Sequence, residues 1–218
     1  MKFQRQYFQH PSTFMICGPT GCGKSQFLAQ LLITIRSQFK PIPRVINYFY
    51  SEYQPLFDEL KVIVPFIHFH EGLPSEDSFE NRDQLIILDD LMNESKDNTN
   101  ILDVFTKKSH HRNISIILIV QNLFAKGSCI RSMSLNSHYL ILFNNPRDRS
   151  QIKHLARQMN PSNPKFIEEA FEDATNARAH GYLVFDLRQT TPEILRLRSN
   201  IFEESGEPMI IYTYLQDF

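Results

Sequence analysis

Apolar residues in this chain come in short dense runs, separated by stretches with helical spacing. TFMICG (13–18), VINYFY (45–50), LIILDDL (85–91), ISIILIV (114–120) and HYLILF (138–143) are near-continuous runs rich in β-branched and aromatic residues. Such runs predict strands covered on both faces, the habit of a parallel sheet. KVIVPFIHF (61–69) predicts a further short strand broken at Pro65. KSQFLAQLLITIR (24–36) instead sets Phe27, Leu28, Leu31 and Leu32 on one stripe and predicts an amphipathic helix. More helices are predicted at about 99–108, over 147–159 and over 164–176, and a terminal β section over 181–188, 195–202 and 209–214. PIPR (41–44) breaks the chain, and EGLPSEDSFENRD (71–83) reads as a surface loop. Strands alternating with helices imply a three-layer α/β sandwich. No internal repeat, low-complexity tract or linker divides the chain, so residues 1–218 read as one domain.

Composition narrows the class. With 218 residues, 42% of them hydrophobic, 18 Phe and 8 Tyr, the chain is globular and long enough for a large core. A net charge of −1 excludes a wholly basic nucleic-acid coat and leaves room for a local basic patch. Cys17, Cys22 and Cys129 have neither metal-type nor disulfide-type spacing, which points to a reducing compartment. The start, MKFQRQYFQHPS, is too polar for a signal peptide, and no apolar run reaches the roughly 18 residues of a membrane span. The expectation is a soluble intracellular protein.

Three of the seven glycines fall within GPTGCGKS (18–25). The stretch fits G-x-x-x-x-G-K-[ST] and stands where that motif works, after an apolar strand and before an amphipathic helix. Small residues let successive backbone N–H groups wrap a triphosphate, and the helix N-terminus adds its positive dipole end. Gly18, Pro19, Thr20, Gly21, Cys22, Gly23, Lys24, Ser25 and Gln26 form the expected cradle. Lys24 supplies a point charge to the β and γ phosphates, and the Ser25 hydroxyl is placed to ligate Mg²⁺.

LIILDD puts Asp89 and Asp90 at the C-terminal end of a strand, the edge where open α/β sheets bind ligands. Asp89 is expected to hold Mg²⁺ through its water shell, and Asp90 to polarise the attacking water as general base. Gln121 ends the next apolar run at the same edge, where a carboxamide reaches both the γ-phosphate and the water. This strand lies between the acidic pair and the terminal strands, which favours the ATPase class in which an extra strand separates the P-loop and acidic strands, and counts against simple nucleotide kinases. KKSHHRN (107–113) groups Lys107, Lys108 and Arg112 with His110 and His111. It reads either as a solvated helix end or as the source of an arginine finger. Adjacent histidines with no acid or thiol nearby do not predict a metal site.

GPTGCGKS, LIILDDL, KKSHHRNISIILIVQNLF, SMSLNSHYLILFNNPRDRSQIKHLARQM and GYLVFDL together resemble the FtsK–HerA superfamily. More narrowly they resemble the genome-packaging ATPases of eukaryotic double-stranded DNA viruses, those of Maverick/Polinton elements and adintovirus-like viruses in particular, and more distantly the poxvirus packaging ATPase. The resemblance covers about residues 12–202 and is most specific from Ser109 to Met159. It implies a P-loop NTPase fold of the RecA/ASCE kind, with a mostly parallel central sheet. It also implies a hexameric or pentameric ring that uses ATP and Mg²⁺ to move double-stranded DNA into a capsid. The partners would be DNA without sequence preference and a capsid or portal-vertex protein, with no membrane, in the host nucleus or a viral factory. By this resemblance Lys24 and Ser25 are the P-loop pair, Asp89 the Mg²⁺ acid and Gln121 the polar sensor. Arg112 lies near the trans-acting arginine, at a spacing from Gln121 that departs from the cellular members, and Arg147 and Arg149 compete for the role. The second acid is Glu in many relatives and Asp90 here. Two other readings are a P-loop nucleoside or nucleotide kinase, with PRDRS (146–150) as its lid, and a non-catalytic nucleotide-dependent scaffold. The Asp-Asp and Gln121 arrangement argues against the first, and intact Lys24, Ser25 and Asp89 argue against the second.

Overall fold

The structure, a computed structural model, describes residues 6–79, 83–91, 102–103, 105, 113–124, 128–202 and 208–214. In chain order its strands are β1 (Phe8–Gln9), β2 (Thr13–Cys17), β3 (Phe39–Lys40), β4 (Val45–Tyr50), β5 (Ile67–Glu71), β6 (Gln84–Asp89), β7 (Ile114–Val120), β8 (Tyr139–Phe143), β9 (Tyr182–Asp186), β10 (Leu197–Ser199) and β11 (Ile210–Tyr212). The helices are α1 (Lys24–Ile33), α2 (Ile35–Gln38), α3 (Leu56–Ile63), α4 (Ser128–Leu135), α5 (Ser150–Met159) and α6 (Pro164–Asn176).

Nine strands form one sheet in the order β11-β10-β9-β8-β2-β7-β6-β4-β5. From β8 to β5 all neighbours are parallel, and β9, β10 and β11 join antiparallel. The expected mostly parallel sheet with a C-terminal β section is therefore what forms. Strand periodicity explains the layers. All seven residues of β7 are buried. Ile116, Leu118 and Val120 face a core with Met15, Leu88, Leu155 of α5 and Phe171 of α6. Ile117 and Ile119 face the opposite core, with Phe14, Ile87, Leu28 and Leu32 of α1 and Phe57 of α3. Burying each such side chain contributes about 1.5–3 kcal/mol, and the one polar residue of β7, the buried Ser115 near its start, is hydrogen-bonded, to His10 and to the Ser12 N–H.

Two expectations need correction. KVIVPFIHF is not one broken strand: 61–63 end helix α3, and only Ile67–Glu71 is strand. Pro55 precedes the helix, Asp58 and Glu59 lie in its first turn, and Phe57 and Leu60 bury one face at a spacing of three. Val62 and Ile63 are simply exposed at its end, 83% and 53%. Helix α4, in the β7–β8 connection, was not anticipated, because SCIRSMSL carries a weak apolar pattern. A parallel crossover of that length usually contains a helix, which was the available signal. The helix expected at about 99–108 falls largely outside the described residues.

At the N-terminal edge of the parallel strands, His10 is buried with Nδ1 2.6 Å from Ser115 Oγ. Its Nε2 has no hydrogen-bond partner among the described residues. Burial lowers its pKa, and Asp83 opposes this. A histidine with a lowered folded pKa stabilises the fold fully above its unfolded value of about 6.5, and this is lost as pH falls through the folded pKa. Thermal melting between pH 7.5 and 5 should therefore show a falling midpoint, with a shallower fall in His10→Gln. Equal slopes would place the acid sensitivity elsewhere.

Among the described residues no helix is long and apolar enough to cross a membrane. Cys17, Cys22 and Cys129 are free thiols, and burial pushes Cys17 up to about 12, which makes it inert.

Candidate nucleotide-binding site

Strand β2 hands directly into the glycine loop: the Gly18 N–H donates to the Val120 carbonyl at 3.2 Å. Two constraints then account for the glycines. Gly21 and Gly23 take φ of +79° and +106°, and Gly23 caps α1 in that left-handed conformation. At Gly18 the constraint is space, since a Cβ would lie 2.6 Å from Cys22 Sγ and 2.8 Å from Phe143 Cβ. Around Gly21 nothing stands within 4 Å of where a Cβ would be, so the loop faces open space there.

The first bond of α1 runs from the Phe27 N–H to the Gly23 carbonyl. The amides of Lys24, Ser25 and Gln26 precede it and present the positive end of the helix dipole. Lys24 folds back over the loop and donates from Nζ to the carbonyls of Gly18 at 2.6 Å and Pro19 at 3.0 Å. Its ammonium is thereby held at the mouth of a concavity of N–H groups. Pro19 and Cys22 shape the loop, with the Cys22 N–H donating to the Pro19 carbonyl at 3.3 Å.

A cleft of about 560 Å³ opens over this loop at the C-terminal edge of the sheet. Its lining brings together Thr20, Gly21, Gly23, Lys24, Ser25 and Gln26 with Asp89, Asp90 and Gln121. The strand order β2-β7-β6 is responsible, because it sets the Gln121 strand between the P-loop strand and the acidic strand. Asp89 is 8% exposed, and its Oδ2 accepts from the Tyr48 hydroxyl at 2.7 Å. Burial raises the Asp89 pKa and Asp90 adds to this, while the Tyr48 bond and Lys24 oppose it. Asp90 follows the strand at φ +54°, and its Oδ2 accepts from Gln121 Nε2 at 3.0 Å. The two predicted catalytic groups are thus in direct contact.

Sequence reasoning missed three contributors. Tyr48 comes from β4, the neighbour of β6, 41 residues before the acid it holds. Tyr50 at the end of β4 with Ser51, Glu52 and Gln54 after it, and His180, just before β9, also line the cleft. The position of β4 beside β6 was the signal that existed for Tyr48, and it is legible only once the strand order is known. Arg147 and Arg149 are exposed at the same sheet edge, after β8. Arg149 lines a smaller cleft of about 190 Å³ with Cys17 and Gly18. Arg112, with Lys107, Lys108, His110 and His111, lies outside the described residues.

No protein-family model matches this sequence, and no curated protein matches it. Among solved structures the chain is similar to the genome packaging NTPase B204 from Sulfolobus turreted icosahedral virus 2. The complex with AMPPCP is 10% identical with a TM-score of 0.54, over 94% of this chain and 98% of that one. The complex with sulfate is 9% identical with a TM-score of 0.53, over the same shares. The complex with ATP-gammaS is 11% identical with a TM-score of 0.51, over 93% and 97%. At these identities the likeness is one of fold. The fold of this chain is that of the P-loop NTPases, with a mostly parallel sheet and antiparallel C-terminal strands.

Proposed function

We propose that this chain is an ATPase of the FtsK–HerA type that drives a viral double-stranded DNA genome into a capsid, working as a hexameric or pentameric ring. The observation that carries the reading is the single cleft in which the glycine loop, Asp89 and the Asp90–Gln121 pair meet, with β7 interposed between β2 and β6. The likeness in fold to a viral genome packaging NTPase, over nearly the whole of both chains, supports the same reading.

The loop amides and Lys24 bind the β and γ phosphates, and Lys24 exchanges its two loop carbonyls for phosphate oxygens as it does so. The donor set fits Mg²⁺, since the Ser25 hydroxyl and the Asp89 carboxylate are the hard oxygens that ion takes. When bound, Mg²⁺ offsets the phosphate charge. Tyr48 occupies one Asp89 oxygen and fixes the carboxylate rotamer, which leaves the other oxygen for the cleft. Asp90 takes the proton of the attacking water, and the Gln121 amide orients that water against the γ-phosphate. Arg112 supplies the cation from a neighbouring subunit, with Arg147 and Arg149 as the alternatives. A capsid or portal-vertex protein anchors the ring.

ATP turnover measured with and without duplex DNA tests this reading. A net charge of −1 requires the positive charge to be gathered locally. Stimulation by DNA should therefore be insensitive to sequence and steeply reduced by salt. Turnover indifferent to DNA, or a salt-insensitive preference for one sequence, would remove the motor from the proposal.

A further inference from the structure

Strand β9 runs antiparallel to β8, so the turn leading into it reaches the same sheet edge as the glycine loop. It comes from the other flank. β8 and β9 lie on one side of β2, whereas β7 and β6, which carry Gln121, Asp89 and Asp90, lie on the other. The turn packs closely at Gly181, where a Cβ would meet the Ala174 and Thr175 carbonyl oxygens at 2.5 and 2.8 Å. Just before it, His180 adopts φ +60°, a left-handed conformation that is uncommon outside glycine. Its side chain is pressed onto the cap of α1: a Cβ on Gly23 would lie 2.7 Å from His180 Cβ and 3.1 Å from its Nδ1. Tight packing and a strained backbone therefore present an exposed imidazole to the cleft, beside Lys24 and Gln26. Neither ring nitrogen has a hydrogen-bond partner among the described residues, so the fold makes no polar use of the ring. A left-handed residue held at a cleft with no internal hydrogen bond on its ring fits a ligand-binding role.

The direction of a bound nucleotide follows from the acids. The reacting γ-phosphate belongs at the flank of Asp90 and Gln121, because those groups handle the water. The phosphate chain then runs across the N-terminus of α1, and its other end emerges at the β9 flank. We propose that His180 binds the α-phosphate end of the nucleotide, donating a ring N–H to an α-phosphate oxygen. This rests on the nucleotide reading of the cleft given above.

Calorimetric titration with ATP and with ADP, on wild type, His180→Ala and His180→Gly, tests the assignment. A hydrogen bond to a charged acceptor corresponds to a loss of about tenfold in affinity. The loss should be the same for ATP and ADP, because both carry the α-phosphate. Glycine is at ease at φ +60°, so His180→Gly should melt no lower than wild type, which separates lost binding from lost fold. Unchanged affinity in both variants overturns the assignment, as does weakening confined to ATP, which would place the ring at the γ-phosphate. Wild-type protein that binds neither nucleotide would instead overturn the reading of the cleft on which the assignment rests.

Discussion

Asp90→Asn is expected to bind ATP as wild type does and to hydrolyse it about 10²- to 10⁴-fold more slowly, the range for loss of a general base. The substitution is well suited to the position. Asp90 sits at φ +54°, and asparagine is among the few residues that accept that conformation readily. Its carboxamide oxygen can still accept from Gln121 Nε2, so the contact between the two side chains survives while the charge does not. Alanine would confound the loss of the base with backbone strain and a broken hydrogen bond. Single-turnover hydrolysis alongside equilibrium ATP binding separates the two steps. Wild-type hydrolysis by Asp90→Asn would show that another group activates the water. Gln121, already in contact with the position, would then be the residue to replace.

The parts of this site that were legible in the sequence are those whose constraints are local. Gly21 and Gly23 are glycines because of their own φ angles, so the loop announces itself in eight consecutive residues. The strands are legible for a similar reason. β7 is buried at all seven positions, and an environment that uniform writes itself as ISIILIV. Asp89 and Asp90 are visible as the place where that kind of run stops.

What was illegible is set by tertiary packing. Tyr48 looks like one more aromatic in VINYFY, and only the pairing of β4 with β6 turns its hydroxyl into a partner for Asp89. His180 looks like a turn residue until β9 is seen to run antiparallel to β8, which brings the turn back to Gly23. The misreading of 61–63 as strand has a different origin. KVIV has strong β propensity, but Phe57 and Leu60 dock the preceding turn on the core at helical spacing and carry the next residues with them. Propensity yields to packing there, as it does wherever a segment is short.

Lys24→Ala is expected to abolish ATP turnover and to weaken ATP binding by at least about 10²-fold, since a lost charge-assisted contact to phosphate is worth several kcal/mol. The fold should survive. Among the described residues Lys24 Nζ bonds only to the loop carbonyls of Gly18 and Pro19, and the apolar face of α1 begins at Phe27. Unchanged melting with lost turnover is the expected pair of readings, and wild-type turnover would remove the basis of the phosphate cradle. The same variant also tests the ring. Arg112 precedes β7 in the sequence, and the N-terminal end of β7, at Ile114, lies at the sheet edge opposite the subunit's own glycine loop. A cation needed for hydrolysis at that edge must serve a neighbour's site. Arg112→Ala should then be inactive alone, like Lys24→Ala, yet the two mixed should recover partial turnover. Some interfaces in the mixed ring pair an intact Lys24 cleft with an intact Arg112 neighbour. If both variants co-assemble and mixing restores nothing, Arg112 does not act across the interface. The pairing would then be repeated with Arg147→Ala and Arg149→Ala, whose loop stands at the glycine-loop edge.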